Sequence, residues 1–202
     1  MKYVLKAFLC VCLCVCAFAP AAVCAFADSP VAVVVLDRTG GVVDKDFSEL
    51  WTEMVRRRFH FPDYKLIGRQ ELLRVLRGQL PPPGRKPPYY RAEDLKLIAG
   101  RASADLLFVI IADRLDEALI HSRWPFGETL LRVSVSIDLM AYRVADAKHL
   151  EKKIRYFKTD VLGTALSAEK VANEQVGDAI DEFRAKLPTL IIAQGDADNG
   201  GQ

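Results

Sequence analysis

Val31 to Leu36 is six apolar residues in unbroken succession, four of them valine, and this run sets the first limit on the architecture of the 202-residue chain. A β-branched stretch without polar interruption reads as a strand covered on both faces. Such a strand belongs inside a sheet with helices on either side. Asp37-Arg38-Thr39-Gly40-Gly41 ends it with turn chemistry. The next periodicity is helical. Phe47, Leu50, Trp51, Met54 and Val55 fall at i, i+3, i+4, i+7 and i+8, with Asp44 as N-cap and Glu49, Glu53, Arg56 and Arg57 on the other side. Pro62-Asp63 breaks the chain, and Tyr64 to Ile67 follows as a short strand. Strand, helix and strand in this order form a βαβ unit with a right-handed crossover.

Gln70 to Arg77 reads as a short helix carrying Leu72, Leu73, Val75 and Leu76, closed by Gly78. The segment Leu80 to Tyr90 contains five prolines, which forbid helix and favour an extended, polyproline-like course. Helix returns over Arg91 to Ala102, with Leu95, Ile98, Ala99 and Ala102 as its apolar face. Glu93 and Asp94 lie near its start, where acids suit the macrodipole.

The second half changes period. Asp105 to Arg123 reads as a long strand, densely apolar from Leu106 to Ala112. Simple alternation places Arg114, Asp116 and Ser122 on one face of its far half, and Asp113, Glu117, His121 and Arg123 on the other. After a turn at Trp124-Pro125-Phe126-Gly127, Val133, Val135, Ile137, Leu139 and Ala141 point one way, while Arg132, Ser134, Ser136 and Asp138 point the other. That alternation predicts one face in the core and one in water. Asp146-Ala147-Lys148 turns the chain into a third antiparallel strand, His149 to Asp160. Ser167 caps a last helix whose stripe is Val171, Val176, Ala179, Ile180 and Phe183, and Pro188 stops it. The expectation is an α/β fold: one mixed parallel and antiparallel sheet of about five strands packed with about four helices.

The N-terminus carries a different message. All five cysteines, Cys10, Cys12, Cys14, Cys16 and Cys24, lie in the first 24 residues. Lys2 and Lys6 precede an almost wholly apolar stretch from Val4 to Ala19, and Ala25-Phe26-Ala27 is a small-x-small cleavage site before Asp28. The leading reading is a cleaved signal peptide over 1–27. An uncleaved anchor and a lipid attached at Cys24 are the alternatives, the apolar run being close to the ~18 residues that span a bilayer. The exported part is then one domain, 28–192, with a polar, Gly-rich tail, 193–202, expected to be disordered. It has no cysteine, so neither a disulfide nor a thiol nucleophile. Without the leader, 26 cations balance 26 acids, which argues against a nucleic-acid role while leaving room for local patches.

The segment Leu66-Ile67-Gly68-Arg69-Gln70-Glu71-Leu72-Leu73-Arg74-Val75-Leu76, and a later helix running into Ala102-Ser103-Ala104-Asp105-Leu106-Leu107-Phe108-Val109-Ile110, carry a resemblance. They look like the N-terminal domain of TolB and its relatives, including CsgG and LpoB, over roughly Val31 to Ile192. Ala112-Asp113 stands where a glycine is common in that family, and the insert 81–88 is additional. The resemblance implies a TolB-N-like, anticodon-binding-domain-like fold and a periplasmic, non-enzymatic module that binds envelope proteins or assembles into larger machinery, with homo-oligomers among its forms. It offers no catalytic residues.

The residues agree on chemistry. His60, His121 and His149 fit no zinc spacing, and neither Gly-x-Ser-x-Gly nor a Walker-type loop occurs. Thr39-Gly40-Gly41, between strand and helix, is a weak phosphate candidate. Arg56-Arg57-Arg58 suits a helix C-terminus. Two surface features invite partners. One is the Pro-rich loop with Arg85, Lys86, Tyr89 and Tyr90, and the other is the hairpin tip with Trp124 and Phe126. The expected role is an exported envelope protein-interaction module with no cofactor, no metal and no nucleic acid, touching membrane only through its N-terminus. A secretion or pore subunit, a small-ligand or lipid-binding domain, and a hydrolase are the alternatives.

Overall fold

The computed structural model describes residues 29–43, 45–60, 63–121, 127, 129–161 and 167–187. The proposed leader, the Asp44 cap, the Trp124–Phe126 tip, Pro188 and the tail lie outside them. The elements run β1 (Ser29–Asp37), α1 (Lys45–Arg58), β2 (Tyr64–Leu66), α2 (Arg69–Leu76), α3 (Ala92–Ala102), β3 (Leu106–His121), β4 (Thr129–Arg143), β5 (Lys148–Val161) and α4 (Ala168–Lys186). One five-stranded sheet has the order β2-β1-β3-β4-β5. β1 is parallel to β2 and to β3, while β3, β4 and β5 are antiparallel neighbours. The fold is therefore the mixed α/β sheet with four helices.

The valine run is buried on both sides, as its composition demands. Val31 and Val33 join one core, and Ala32 and Val34 join the other. β3 divides likewise: Leu106, Phe108, Ile110 and Ala112 face the first core, Leu107, Val109 and Ile111 the second. α1 and α4 cover the first face. Trp51 Nε1 donates to Asn173 Oδ1 at 2.9 Å, and Arg58 meets Asp181 through two bonds of 2.6 and 2.7 Å. On α1 the expected stripe narrows: Trp51 and Val55 are buried, but Leu50 lies at the margin, 39% exposed.

α2, α3 and the Pro-rich loop cover the second face. Asp94 Oδ2 accepts the Arg91 amide at 3.0 Å, so this acid caps α3 directly as well as suiting its dipole. Ser103 follows in the left-handed region, φ 50°, and its amide closes the last turn. α4 starts as read, with Ser167 Oγ accepting from the Lys170 amide at 3.1 Å.

Two readings of the long strands are corrected. Asp113 is a β-bulge: Ala112 pairs with Ile137, yet Arg114 pairs with Ser136. The extra residue shifts the alternation by one, so Asp113 and Arg114 share a face, while Leu115 turns into the first core. On β4 the polar face is not simply wet. Met140, Tyr142, Ser134 and Asp138 are buried there, because the α3 layer and β5 side chains close over them.

Candidate functional site

The bulge and the Pro-rich loop meet above the second sheet face. Tyr89 donates its hydroxyl to Asp113 Oδ2. Arg38, just past β1, approaches the other oxygen of Asp113 at 3.6 Å, lies 4.5 Å from the Tyr89 ring centre, and donates to the Gly84 carbonyl at 3.1 Å. Tyr90 donates to the Pro81 carbonyl at 3.1 Å, and the Gly84 amide bonds the Tyr89 carbonyl at 2.8 Å. Burial and the Asp113 carboxylate push the Tyr89 phenol up to about 12. The bulge is what aims Asp113 at this loop, and these bonds pin the loop in place.

The loop therefore differs from a display of aromatics. Tyr89 and Tyr90 are buried in the second core against Leu95, Leu107 and Val109, because a phenol can bury its ring while its hydroxyl finds a partner at the rim. Arg85 and Lys86 remain exposed. The structure does not bring the loop's cations and its rings into one surface. Trp124 and Phe126 are outside the described residues.

Beyond the bulge, β3, β4 and β5 run on as a three-stranded ribbon. β1 pairs with β3 only from Leu106 to Ala112, so Arg114 to His121 has no strand on its outer side among the described residues. The ribbon face next to the loop carries an open groove of about 400 Å³, bordered by Asp113, Arg114, Ser134, Ser136, Arg155 and Phe157. Phe157 is 69% exposed, and Leu119 on the opposite face is 59% exposed. Sequence reading missed Phe157. Its signal is that it sits two positions from Arg155 on the same strand face, opposite Ser134. At the inner end of the groove face, Asp138 is 1% exposed and held by Arg155, Nη2 to Oδ1 being 2.6 Å. Burial raises its carboxyl above the usual range, and the guanidinium opposes that rise.

This arrangement suits recognition, since its acids are already committed. Asp113 serves Tyr89 and Arg38, Asp138 serves Arg155, and Glu117 Oε1 accepts the Ala168 amide at the start of α4 at 2.6 Å. The turn at Thr39-Gly40-Gly41 is likewise occupied: Asp37 accepts from the amides of Thr39 and Gly41 at 2.7 and 2.9 Å, which removes the donors a phosphate would need. Among the described residues no group of three His, Cys, Asp or Glu is placed to hold a metal, and no helix is long and apolar enough to cross a membrane.

No protein-family model matches the chain, and no curated protein matches it. Among solved structures it is similar to the lipoprotein GNA1162 from Neisseria meningitidis, with 12% identity, TM-score 0.41, and 79% of this chain and 99% of that one covered. It is also similar to the PelC dodecamer from Paraburkholderia phytofirmans, with 10% identity, TM-score 0.40, and 76% and 84% covered. A third likeness is to the LpoB C-terminal domain from Salmonella enterica, with 13% identity, TM-score 0.38, and 63% and 82% covered. At scores and identities this low, none of these likenesses transfers a function to this chain.

Proposed function

We propose that this chain is an exported, non-catalytic protein-interaction module of the cell envelope, and that the β3–β4–β5 ribbon is its contact surface. The observation that carries the reading is the outer edge of β3 from Arg114 to His121, which no strand among the described residues covers, together with the exposed ring of Phe157 two strands away on the same ribbon. An unpaired edge offers backbone donors and acceptors to an incoming strand, and an exposed aromatic on the ribbon face offers an apolar anchor to a partner that reaches across the ribbon. The resemblance of the chain to the TolB, CsgG and LpoB group, and the sequence reading of residues 1–27 as an export signal, support placing it in the envelope. Trp124 and Phe126, which the sequence places between β3 and β4, are proposed as further contacts. Arg85 and Lys86 are its second proposed contact.

The test is capture from envelope extract with a photo-crosslinker at position 157, read by mass spectrometry. Phe157→Ala and the pair Trp124→Ala, Phe126→Ala should each reduce capture of one defined protein by tenfold or more. Because Tyr89 and Tyr90 are core residues, Arg85→Ala with Lys86→Ala probes the loop without disturbing the fold. Capture that survives all of these changes, or turnover of a substrate by the purified chain, would overturn the proposal.

A further inference from the structure

The formal charge of the whole chain is only +2, but it is not evenly spread. Residues 69 to 101, which build α2, the Pro-rich loop and α3, hold eight Lys and Arg against three Asp and Glu, a local balance of +5. The two helices on the other side of the sheet, 45–58 and 168–186, hold seven cations against eight acids. The two layers of the sandwich thus differ in sign.

The basic layer is also unspent. Arg69 leans on Glu49 at 3.6 Å, and Arg101 donates to the Gln79 carbonyl. Arg74, Arg77, Arg85, Lys86, Arg91 and Lys96 make no ion pair among the described residues, and all are exposed. Two leucines stand among them: Leu73 is 57% exposed and Leu97 is 46% exposed. Glu93, Lys96, Leu97, Gly100 and Arg101 line a shallow, mostly apolar depression on α3, so two cations stand there against one acid. The Arg101–Gln79 bond sets the end of α3 beside the turn after α2, and the Asp105 amide bonds the Pro30 carbonyl at 2.8 Å. The C-terminal end of α3 therefore borders the start of β1, whereas the loop, held by Arg38, lies towards the other end of that strand.

We infer that the α2–loop–α3 layer docks on the headgroup region of an anionic bilayer, the cations meeting lipid phosphates and Leu73 and Leu97 entering the interface. Cations mixed with exposed leucines on one helical layer match a surface that is charged outside and apolar just beneath. A nucleic acid would use the charge but leave the leucines without a partner. The layer stays rigid on contact because Tyr89, Tyr90 and Arg38 already hold the loop, so little ordering entropy opposes docking. A retained apolar or lipid anchor ahead of Ser29 would hold the α3 end of this layer at the bilayer. The inference shares only Arg85 and Lys86 with the proposed protein contacts, and the charge-reversal variants below leave those two in place, so the ribbon surface beyond the bulge is tested separately.

The experiment is hydrogen–deuterium exchange of the full chain with vesicles of phosphatidylglycerol and phosphatidylcholine, or of phosphatidylcholine alone. The expected result is protection of residues 73–101 on the anionic vesicles only, lost at high salt. Arg74→Glu, Arg77→Glu and Lys96→Glu together turn the local balance from +5 to −1 and should weaken binding at least tenfold. Gly100→Glu is the second variant: a Cβ there meets nothing within 4 Å, so the fold should persist while a carboxylate enters the patch. Equal protection on both vesicle types would overturn the inference. So would indifference to both variants, or protection that appears only with an acidic protein or a polynucleotide.

Discussion

Arg155 reaches diagonally across the β4–β5 pair to Asp138, its Nη2 2.6 Å from Oδ1, although Asp138 stands directly opposite Lys153. The carboxylate is enclosed and the guanidinium is half in solvent, so Arg155 is what makes a buried charge tolerable on this strand. Arg155→Ala should cost about 2 kcal/mol by urea denaturation, less than the loss of a fully enclosed pair because water reaches this site. Adding Asp138→Asn should restore part of it. Equal stabilities for the single and double variants would refute the coupling.

The pH dependence of Asp138 has a definite sign. Its folded carboxyl titrates above its unfolded value, so the contribution of this group to stability is most favourable below about pH 4 and declines as pH rises through the folded value. The stability difference between Asp138→Asn and the parent should therefore move in favour of Asn between about pH 4 and 7. Asp146 behaves oppositely. Arg143 holds its carboxyl down at about 2, so its stabilisation is present above about pH 4 and is lost as pH falls towards 2. Asp146→Asn should cost under about 1 kcal/mol at pH 7, since this carboxylate is well solvated, and much less at pH 2, where the folded carboxyl is half protonated.

Tyr89 ties the loop to the bulge. Tyr89→Phe leaves Asp113 with Arg38 alone and should destabilise the domain by about 1–2 kcal/mol. It should also speed amide exchange across 81–90. In an ultraviolet titration, the Tyr89 phenol should ionise near pH 12 in the parent, and that contribution should be lost in Tyr89→Phe while the raised Tyr64 and Tyr90 phenols remain. Its persistence would show that another phenol ionises there.

The first turn of α4 is held from two directions. Ser167 caps it from its own backbone position, and Glu117 accepts the Ala168 amide from β3. Each change to Ala should cost about 1 kcal/mol. Strict additivity in thermal unfolding would show that the two act separately, and a coupling above about 0.5 kcal/mol would show one shared cap.

Leu115 and Leu119 test the bulge itself. Leu115 is in the first core, and Leu119 is on the open ribbon. Leu115→Ala should cost about 2–4 kcal/mol and Leu119→Ala under about 0.5 kcal/mol. Similar costs would mean that the register beyond Asp113 is different.

The chain's own pattern determined the order and kind of its elements. An unbroken valine run has one stable use, apolar stripes at helical spacing have another, and both depend on covering a face, which composition encodes locally. Five strands and four helices were legible for that reason, as were the α3 stripe and the Ser167 cap. Only the tertiary structure decided which polar groups are buried. The alternation of β4 places Asp138 opposite the core stripe correctly, but what lies over that second face depends on α3 and the loop, elements remote in sequence. One extra residue at Asp113 reverses everything beyond it, and no local pattern marks it. Tyr89 and Tyr90 turned inward because partners for their hydroxyls exist only after folding. The concentration of cations on one layer likewise appears only when 69–101 folds as a unit, since a balance summed over the chain averages it away.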